Sequence, residues 1–131
     1  MLKTYLEAIK NISPSDKEHT HRSALENFLN SIKQTQDKAN QIYIKQEPNN
    51  DKEGRGAPDF LVTKDFLTLG YIENKRVNEN LDVIIKSEQI RKYTKLSPNI
   101  ILTDYLNFIL LNLNDKNEII ISSLALDFYV F

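Results

Sequence analysis

The sequence lacks cysteine entirely, and it lacks any long apolar run. The absence of cysteine excludes disulfide frameworks, zinc–thiolate sites and thiol catalysis. No apolar segment approaches the roughly 20 residues that a membrane-spanning helix requires. The N-terminal segment 1–7 is amphipathic and carries an acid, which is not typical of a secretory signal. We therefore expect a cytoplasmic protein that makes no membrane contact.

The sequence also lacks an excess of positive charge. Its 17 Lys and Arg residues are balanced by 18 Asp and Glu residues, so the formal net charge is −1. A domain that holds nucleic acid by itself is usually basic, because neutralising phosphates supplies most of the non-specific affinity. If this chain acts on nucleic acid, we expect another domain or subunit to deliver the substrate.

The composition that is present is ordinary for a soluble globular protein. A chain of 131 residues with 40% hydrophobic and 27% charged residues can bury one core. We therefore expect a single domain spanning residues 1–131. The segment 124–131 is mostly apolar and aromatic, which favours either a longer polypeptide or a terminus docked against something else.

Periodicity, capping and turn signals predict the order of the elements. The motif Ser15-Asp16-Lys17-Glu18 has the form of a capping box and opens the second helix. In order, we expect helices at 2–12 and 15–33, a strand at 42–44, a hairpin across 56–75, a helix from 83 or 87 to 96, a strand at 99–105, and a second hairpin with strands 108–111 and 118–121. A helix between two strands indicates a crossover. This order predicts an α/β fold with a mixed central β-sheet flanked by helices.

Charged residues stand in the first hairpin where an ordinary core strand carries Val or Ile. A register with the turn centred on Phe66 places Asp59 opposite Glu73, Leu61 opposite Tyr71, and Thr63 opposite Leu69. Because side chains alternate along a strand, Lys75 shares the face of Asp59 and Glu73. The hairpin is therefore expected to bring two carboxylates and one ammonium group together.

Two carboxylates that face each other repel, so the pairing costs stability unless a cation lies between them. Mg²⁺ takes carboxylate oxygen ligands and retains several waters. Lys75 can stabilise charge on a reacting oxygen or orient an attacking water. The pattern therefore predicts a hydrolytic site for phosphodiesters; the alternative is a hairpin whose charged residues lie on a solvated face.

The residues Pro58-Asp59 and Glu73-Asn74-Lys75, with 13 residues between the two acids, resemble the PD-(D/E)XK nuclease motif. The resemblance implies a restriction-endonuclease-like core. It implies that Asp59 and Glu73 bind Mg²⁺, with Mn²⁺ as a substitute, and that Asp59, Glu73 and Lys75 are catalytic. It also implies that no covalent enzyme intermediate forms.

The segment 18–25 is similar to the opening helix of nuclease domains fused to modification methyltransferases, where a helix-borne glutamate reaches the metal site. Glu18 is the matching position and a supporting residue, and Glu26 is a weaker second candidate; the alternative is that Glu18 only caps the helix. His19 and His21 form an H-x-H pair. Because residues two apart on a helix do not share a face, we expect solvated or packing histidines rather than metal ligands.

Gln89 and Tyr93 are four residues apart, so they share one face of the predicted helix with Ile85 and Leu96. We expect this face to be buried, where a glutamine needs hydrogen-bond partners. The Gln-x-x-x-Tyr pattern resembles the accessory motif that follows the E-x-K strand in several PD-(D/E)XK branches. It implies that both residues are supporting ones, which position Lys75, a carboxylate or the DNA backbone. A chance glutamine on an amphipathic helix is the alternative.

Two further polar residues have weaker expectations. Arg55, in the loop before Asp59, suits a phosphate, although a solvated arginine is the simpler interpretation. Asp104 lies in the segment 103–108, which is similar to a strand of restriction-type nucleases. We expect Asp104 to order a turn and not to be catalytic.

These patterns together predict a Mg²⁺-dependent endonuclease domain that hydrolyses DNA phosphodiester bonds. The resemblance implies that the chain is the N-terminal cleavage module of a restriction-modification enzyme. Its expected partners are double-stranded DNA and methyltransferase, specificity and, in some enzymes, translocase domains or subunits. Two alternatives stay open: a catalytically silent DNA-docking or assembly domain of the same fold, and a repair-type exonuclease or junction nuclease.

Overall fold

A computed structural model of the chain describes residues 2–11, 18–46, 58–77, 79–97, 99–116 and 118–126, without the side chains of residues 18–20. Three predictions fall outside these residues. They concern the beginning of the capping box at 15–17, Arg55, and the chain end at 127–131.

Four helices and six strands make up the described residues. In order they are α1 (Leu2–Lys10), α2 (Glu18–Lys33), β1 (Ile42–Gln46), β2 (Phe60–Lys64), β3 (Leu67–Asn74), α3 (Leu81–Ile85), α4 (Glu88–Leu96), β4 (Asn99–Thr103), β5 (Asn107–Leu113) and β6 (Ile119–Ala125). A short 3₁₀ turn at Ala39–Gln41 leads into β1. None of the described helices is long and apolar enough to cross a membrane.

The strands form one sheet in the order β1-β2-β3-β4-β5-β6. Among the described strands, β3 and β4 pair in parallel and the other neighbours pair antiparallel. A parallel pair needs a crossover connection, which α3 and α4 provide. The predicted crossover and the mixed character of the sheet are therefore confirmed.

Two hydrophobic clusters cover opposite faces of the sheet. Alternation along β3 separates them, because Ile72 joins the cluster under α1 and α2 whereas Tyr71 joins the cluster under α3 and α4. The first cluster is built on the buried residues Tyr5, Leu6, Ile9, Leu25, Phe60, Ile72 and Tyr105. The second is built on Leu81, Ile90, Tyr93, Ile100, Leu102, Ile109 and Leu111. Helices thus flank the mixed sheet on both sides, as predicted.

Gly70 permits the close approach of β3 to β4. A Cβ at this position would overlap the main-chain oxygen of Asn99, at the start of β4. The Asn99 side chain also donates a hydrogen bond of 2.9 Å to the carbonyl of Leu69. The parallel pair therefore begins at a point where a larger residue than glycine does not fit.

The first hairpin follows the predicted register only in part. Leu61 pairs with Tyr71 as expected, but Thr63 pairs with Thr68 instead of Leu69. The turn consists of two residues, Asp65 and Phe66, and an irregularity after Val62 absorbs the extra residue of β3. A bulge of this kind adds one unpaired residue to one strand, and the pairs farther from the turn keep their register.

The predicted helix ending at Leu96 is two helices. Ser87 caps the second one, because its hydroxyl accepts a hydrogen bond of 3.3 Å from the Ile90 amide. The side chain of Asn80 caps the first helix in the same way, at Val83. The earlier of the two expected starts, Val83, lies inside α3, and the later one, Ser87, is the N-cap of α4.

Candidate active site

The candidate site lies where β2 begins and β3 ends. Pro58 is fully buried and leads directly into Asp59, the residue before β2. The last pair at this end of the hairpin is Phe60 with Ile72, and Asp59 and Glu73 are the next residues on the two sides. The Asp59 carboxyl is close enough to Glu73 to raise the pKa of its carboxyl, and both residues line one cavity. The hairpin therefore brings both acids of the predicted motif together.

These acids line a cavity of about 290 Å³. Its wall contains every residue of the predicted catalytic set and both helix residues of the accessory motif. The lining residues are Asp59, Glu73, Asn74, Lys75, Arg76, Glu79, Gln89 and Tyr93. Residues that lie up to 34 positions apart in the sequence thus line one cavity.

Asp59 is held through both of its carboxylate oxygens. Oδ2 accepts a hydrogen bond of 2.9 Å from the backbone amide of Asn74. Oδ1 accepts from the guanidinium of Arg22, in an ion pair between α2 and the start of β2. The hydrogen bond to Oδ2 comes from the backbone amide of the middle residue of the E-x-K segment. The segment that carries Glu73 and Lys75 therefore also orients Asp59.

Glu73 is a buried carboxyl, with only 4% of the residue exposed. Its Oε2 atom is buried and has no hydrogen-bond partner among the described residues. Burial is the largest cause that raises the pKa of Glu73 to about 9; the hydrogen bond and charge of Asp59 raise it further, whereas Tyr93 and Lys75 lower it. A metal-free site therefore favours a protonated Glu73 at neutral pH.

A chain of hydrogen bonds runs along the cavity from Lys75 through Gln89 to Tyr93. The Lys75 ammonium donates to Gln89 Oε1 at 2.9 Å, and Gln89 Nε2 donates to the Tyr93 hydroxyl at 3.0 Å. The Tyr93 hydroxyl is in turn hydrogen-bonded to Glu73, and burial together with the Glu73 charge raises the pKa of Tyr93. The glutamine therefore links the lysine to the glutamate through the tyrosine.

The burial expected for the helix face holds for Tyr93 but not for Gln89. Tyr93 is buried at 1% exposure, whereas Gln89 is exposed. The reason is position, since Gln89 lies in the first turn of α4, where the cavity opens to solvent. Its hydrogen-bond partners are those that the accessory motif implied, a lysine and the tyrosine.

A second layer supports the site from the other side of the sheet. The side chain of Asn74 donates a hydrogen bond of 2.7 Å to the Tyr105 hydroxyl, and Tyr5 donates one of 2.6 Å to the Tyr105 carbonyl. Tyr105 has a φ of 78°, which is rare for a bulky residue. This unusual backbone turns the chain after β4 so that the tyrosine reaches beneath the E-x-K segment.

The structure places the remaining sequence candidates as follows. Glu18 begins α2, but its side chain lies outside the description, as does that of His19. Glu26 accepts a hydrogen bond of 2.9 Å from Gln46 on β1 and does not line the cavity. His21 packs against the ring of Tyr105 with the centroids 5.3 Å apart, as expected for a packing histidine.

Asp104 orders a turn, as predicted. Its Oδ1 accepts from the backbone amides of Leu106 at 3.1 Å and Asn107 at 2.7 Å. These bonds close the connection between β4 and β5, outside the cavity that Asp59 and Glu73 line.

Sequence reasoning missed three contributors, namely Arg22, the amide of Asn74, and Tyr105. For Arg22 a signal was available, because it lies one helical turn after Glu18 and residues four apart share a helix face. For the other two no local signal exists. The amide of Asn74 carries no side-chain information, and Tyr105 reaches the site only through the turn after β4.

The described residues offer two carboxylates as ligands for a hard cation. Within the described residues, no group of three or more His, Cys, Asp or Glu side chains is placed to hold a metal ion. Asp59 and Glu73 supply two carboxylates, and the unpartnered Oε2 of Glu73 offers a free acceptor. Mg²⁺ commonly takes one or two protein carboxylates and fills its other positions with water. Two carboxylates in one polar cavity therefore fit that ion.

Comparison with known proteins establishes the fold. No protein-family model and no curated protein matches the sequence. Among solved structures, the chain is similar to a chain in the cryo-EM structure of the DrdV–DNA complex, with a TM-score of 0.65 and 19% sequence identity over 93% of this chain. The chain spans 12% of the length of that chain. Together with the mixed six-stranded sheet, this likeness confirms the predicted α/β, restriction-endonuclease-like core.

Proposed function

We propose that the chain is a Mg²⁺-dependent endonuclease domain that hydrolyses phosphodiester bonds of double-stranded DNA. The observation that carries this proposal is the meeting of Asp59, Glu73 and Lys75 at one cavity, where Glu73 Oε2 is buried and has no partner in the part of the chain that the structure describes. The fold likeness to a protein whose structure was solved with DNA supports the choice of substrate.

The two acids have different tasks in this proposal. Asp59 is pre-oriented by the Asn74 amide, so one of its oxygens is held before any ligand binds. Glu73 lines the same cavity, its Oε2 has no hydrogen-bond partner among the described residues, and it would release its proton on ligation because metal ligands must be deprotonated. A bound Mg²⁺ would supply Lewis-acid polarisation of the phosphate and a water of lowered pKa. Asp59 and Glu73 are the residues that would hold it, with Glu18 as a further candidate.

Lys75 supplies positive charge to the developing negative charge on the phosphate. Gln89 holds the ammonium group at 2.9 Å, and Tyr93 holds Gln89 in turn. A group that is already oriented needs little reorganisation when charge develops, and such preorganised donors are among the largest contributions to catalysis. Gln89 and Tyr93 are thus positioning residues in this proposal.

The test is plasmid nicking by the full-length protein in Mg²⁺. Asp59→Asn and Lys75→Met should each lower the rate by about 100-fold or more, because each removes a charge that acts on the reacting phosphate. Circular dichroism and thermal melting should remain close to those of the wild type. Lys92→Met removes an exposed lysine from α4 and serves as the matched control. Mg²⁺-dependent nicking that persists in either site variant would contradict the assignment.

One observation favours a second candidate, a catalytically silent DNA-docking domain. Asp59 already has a cationic partner in Arg22, so the site can be electrically balanced without a metal ion. In that case the wild-type protein binds DNA but does not nick covalently closed plasmid at any Mg²⁺ concentration. The same substrate also separates an endonuclease from an exonuclease, because closed circles have no ends.

We further infer that the chain is the cleavage module of a longer restriction-modification polypeptide. The chain corresponds to 12% of the chain that it resembles, and its charge is unsuited to independent DNA binding. A methyltransferase segment of the N-P-P-Y type in the continuation of the same reading frame would support this inference. Its absence would favour a repair nuclease instead.

A further inference from the structure

Arg22 and Asp59 join two parts of the fold that are 37 residues apart in the chain. Arg22 projects from α2, which packs on one face of the sheet, and Asp59 stands at the entry to β2. The guanidinium contacts Oδ1 of the carboxylate that the proposed function assigns to a divalent cation. The Arg22 guanidinium and the proposed divalent cation would therefore compete for the Asp59 carboxylate.

We propose that Arg22 is the resident counter-ion of the metal-free site, and that a divalent cation displaces its guanidinium from Asp59 Oδ1 when it binds. This inference rests on the proposed function and extends it to a residue outside the nuclease motif.

The hydrogen bonding of Asp59 supports a competition between the two cations. The Asn74 amide occupies Oδ2, and the Arg22 guanidinium occupies Oδ1. A dication bound at Oδ1 would lie beside the guanidinium, and like charges at such a distance repel. Oδ2 is tied to the backbone of β3, whereas Oδ1 is held by a side chain that rotates about several bonds, so we expect the exchange of cations to occur at Oδ1.

Burial makes this competition measurable. Arg22 and Asp59 have side chains that are 21% and 12% exposed, so water and salt screen the pair only partly. A partly buried pair holds its geometry better than a surface pair. The metal ion must therefore overcome a defined contact and not a mobile surface charge.

Displacement also gives the guanidinium a second task. A phosphodiester bound beside Asp59, in the cavity that Asp59 lines, carries oxygens that match the fork of an arginine. Once released from Asp59, Arg22 can donate to such an oxygen. Loss of Arg22 should then raise the KM for DNA more than it lowers kcat, because the contact binds substrate instead of acting on the reacting atoms.

The direct test is calorimetric titration of the protein with MnCl₂ in the absence of DNA. Arg22→Met removes the competing charge and should tighten Mn²⁺ binding by about threefold to tenfold. Arg22→Lys keeps a positive charge and should stay within about twofold of the wild type. Arg91→Met removes an exposed arginine from α4 and is the matched control, for which no change is expected.

A second measurement needs no substitution, so it decides the question even if Arg22→Met does not fold. The guanidinium ¹⁵N–¹H signals of Arg22 in the wild-type protein are followed by NMR during titration with diamagnetic Mg²⁺. Displacement should change these signals in step with the occupancy of the ion. Arg22 signals that stay constant while Mg²⁺ saturates the site would overturn the proposal.

The outcomes separate this inference from the proposed function. If the wild type binds Mn²⁺ and Arg22→Met binds it with the same affinity, the counter-ion role is wrong while the metal site stands. If the wild type binds no divalent cation at all, the proposed metal site is wrong and the counter-ion role is wrong with it.

Discussion

The side chain of Glu73 destabilises the fold in a way that is unusual for a strand residue. Its carboxyl is buried beside a second carboxyl, and one of its oxygens has no partner among the described residues. A buried polar atom that forms no hydrogen bond is destabilising. Such costs are concentrated at functional sites, because they are relieved only when a ligand binds. The side chain is therefore better explained by ligand binding than by folding.

The raised pKa of Glu73 predicts how stability depends on pH in the metal-free protein. In the unfolded chain the carboxyl ionises near its ordinary value of 4.5, whereas in the folded chain it ionises near 9. Between these values the folded state binds more protons, so stability is full below pH 4.5 and falls as the pH rises to 9. Glu73→Gln cannot ionise, and in EDTA at pH 8 it should exceed the wild type in unfolding free energy by about 2 kcal/mol or more.

Urea denaturation at several pH values in EDTA measures this difference. Glu79→Gln is the matched control, because Glu79 is an exposed carboxyl on the wall of the same cavity. The gain of Glu73→Gln should grow from pH 5 to pH 9, and that of the control should not. A Glu73→Gln variant that is less stable than the wild type at every pH would contradict the burial argument.

The turn of the first hairpin departs from the residue preferences of its conformation. Asp65 and Phe66 both have positive φ values, 52° and 68°. A two-residue turn with both residues in this region strongly prefers glycine at the second position. Phe66 is 96% exposed, so its ring gains almost nothing from packing. The turn therefore carries strain that its side chain does not offset.

Phe66→Gly should stabilise the protein by about 0.5–1 kcal/mol. The strain of a left-handed non-glycine residue is about 1–2 kcal/mol, and the extra chain entropy of glycine offsets part of the gain. Thermal unfolding should shift upward by about 2–4 °C. Phe66→Ala removes the same ring but keeps the Cβ, so it should show no comparable gain. Equal effects of the two substitutions would mean that the exposed ring, and not the backbone, is responsible.

The break between α3 and α4 illustrates how a cap decides where a helix begins. Apolar residues occur at 83–85 and again at Ile90, Tyr93 and Leu96, with four polar residues between them. Ser87 lies in that polar stretch and caps a second helix instead of continuing the first. The new helix then starts at Glu88 and places Gln89 at the cavity mouth. An uninterrupted helix would have a different axis at this point.

The charge of the whole molecule limits how it can hold DNA. With 17 basic and 18 acidic residues, the chain has no general attraction for a polyanion. If the proposed function holds, cleavage and affinity are separate, and we expect another domain or subunit to deliver the substrate. This view agrees with the small share of the DrdV chain that the domain matches.

The 131-residue chain alone should bind duplex DNA with a Kd weaker than about 10⁻⁵ M near 0.15 M salt, since few phosphates are neutralised. Its affinity should also change little with salt, in contrast to that of a basic DNA-binding domain. Fluorescence anisotropy with a labelled duplex at two salt concentrations measures both quantities. Sub-micromolar binding by this chain with a steep salt dependence would contradict the division of labour.

Local patterns predicted much of the fold. The α/β class, the order of the main elements and the pair of acids on one hairpin follow from alternation and helical spacing, which depend on neighbouring residues only. The same logic placed Gln89 and Tyr93 on one helix face. The predicted hairpin register is wrong between Val62 and the turn. The bulge there depends on the conformation of the turn and does not change the alternation of apolar and polar residues.

The residues available to a site follow from local order along the chain, since the short motifs around Asp59, Glu73 and Gln89 keep their spacing in any fold that contains the strands and the helix. The charge balance of that site depends on how the elements pack in three dimensions. Arg22 reaches Asp59 across 37 residues, and Glu73 becomes a weak acid through burial. Both effects arise from packing between elements, because ion pairing and desolvation depend on distances in space that no local pattern encodes.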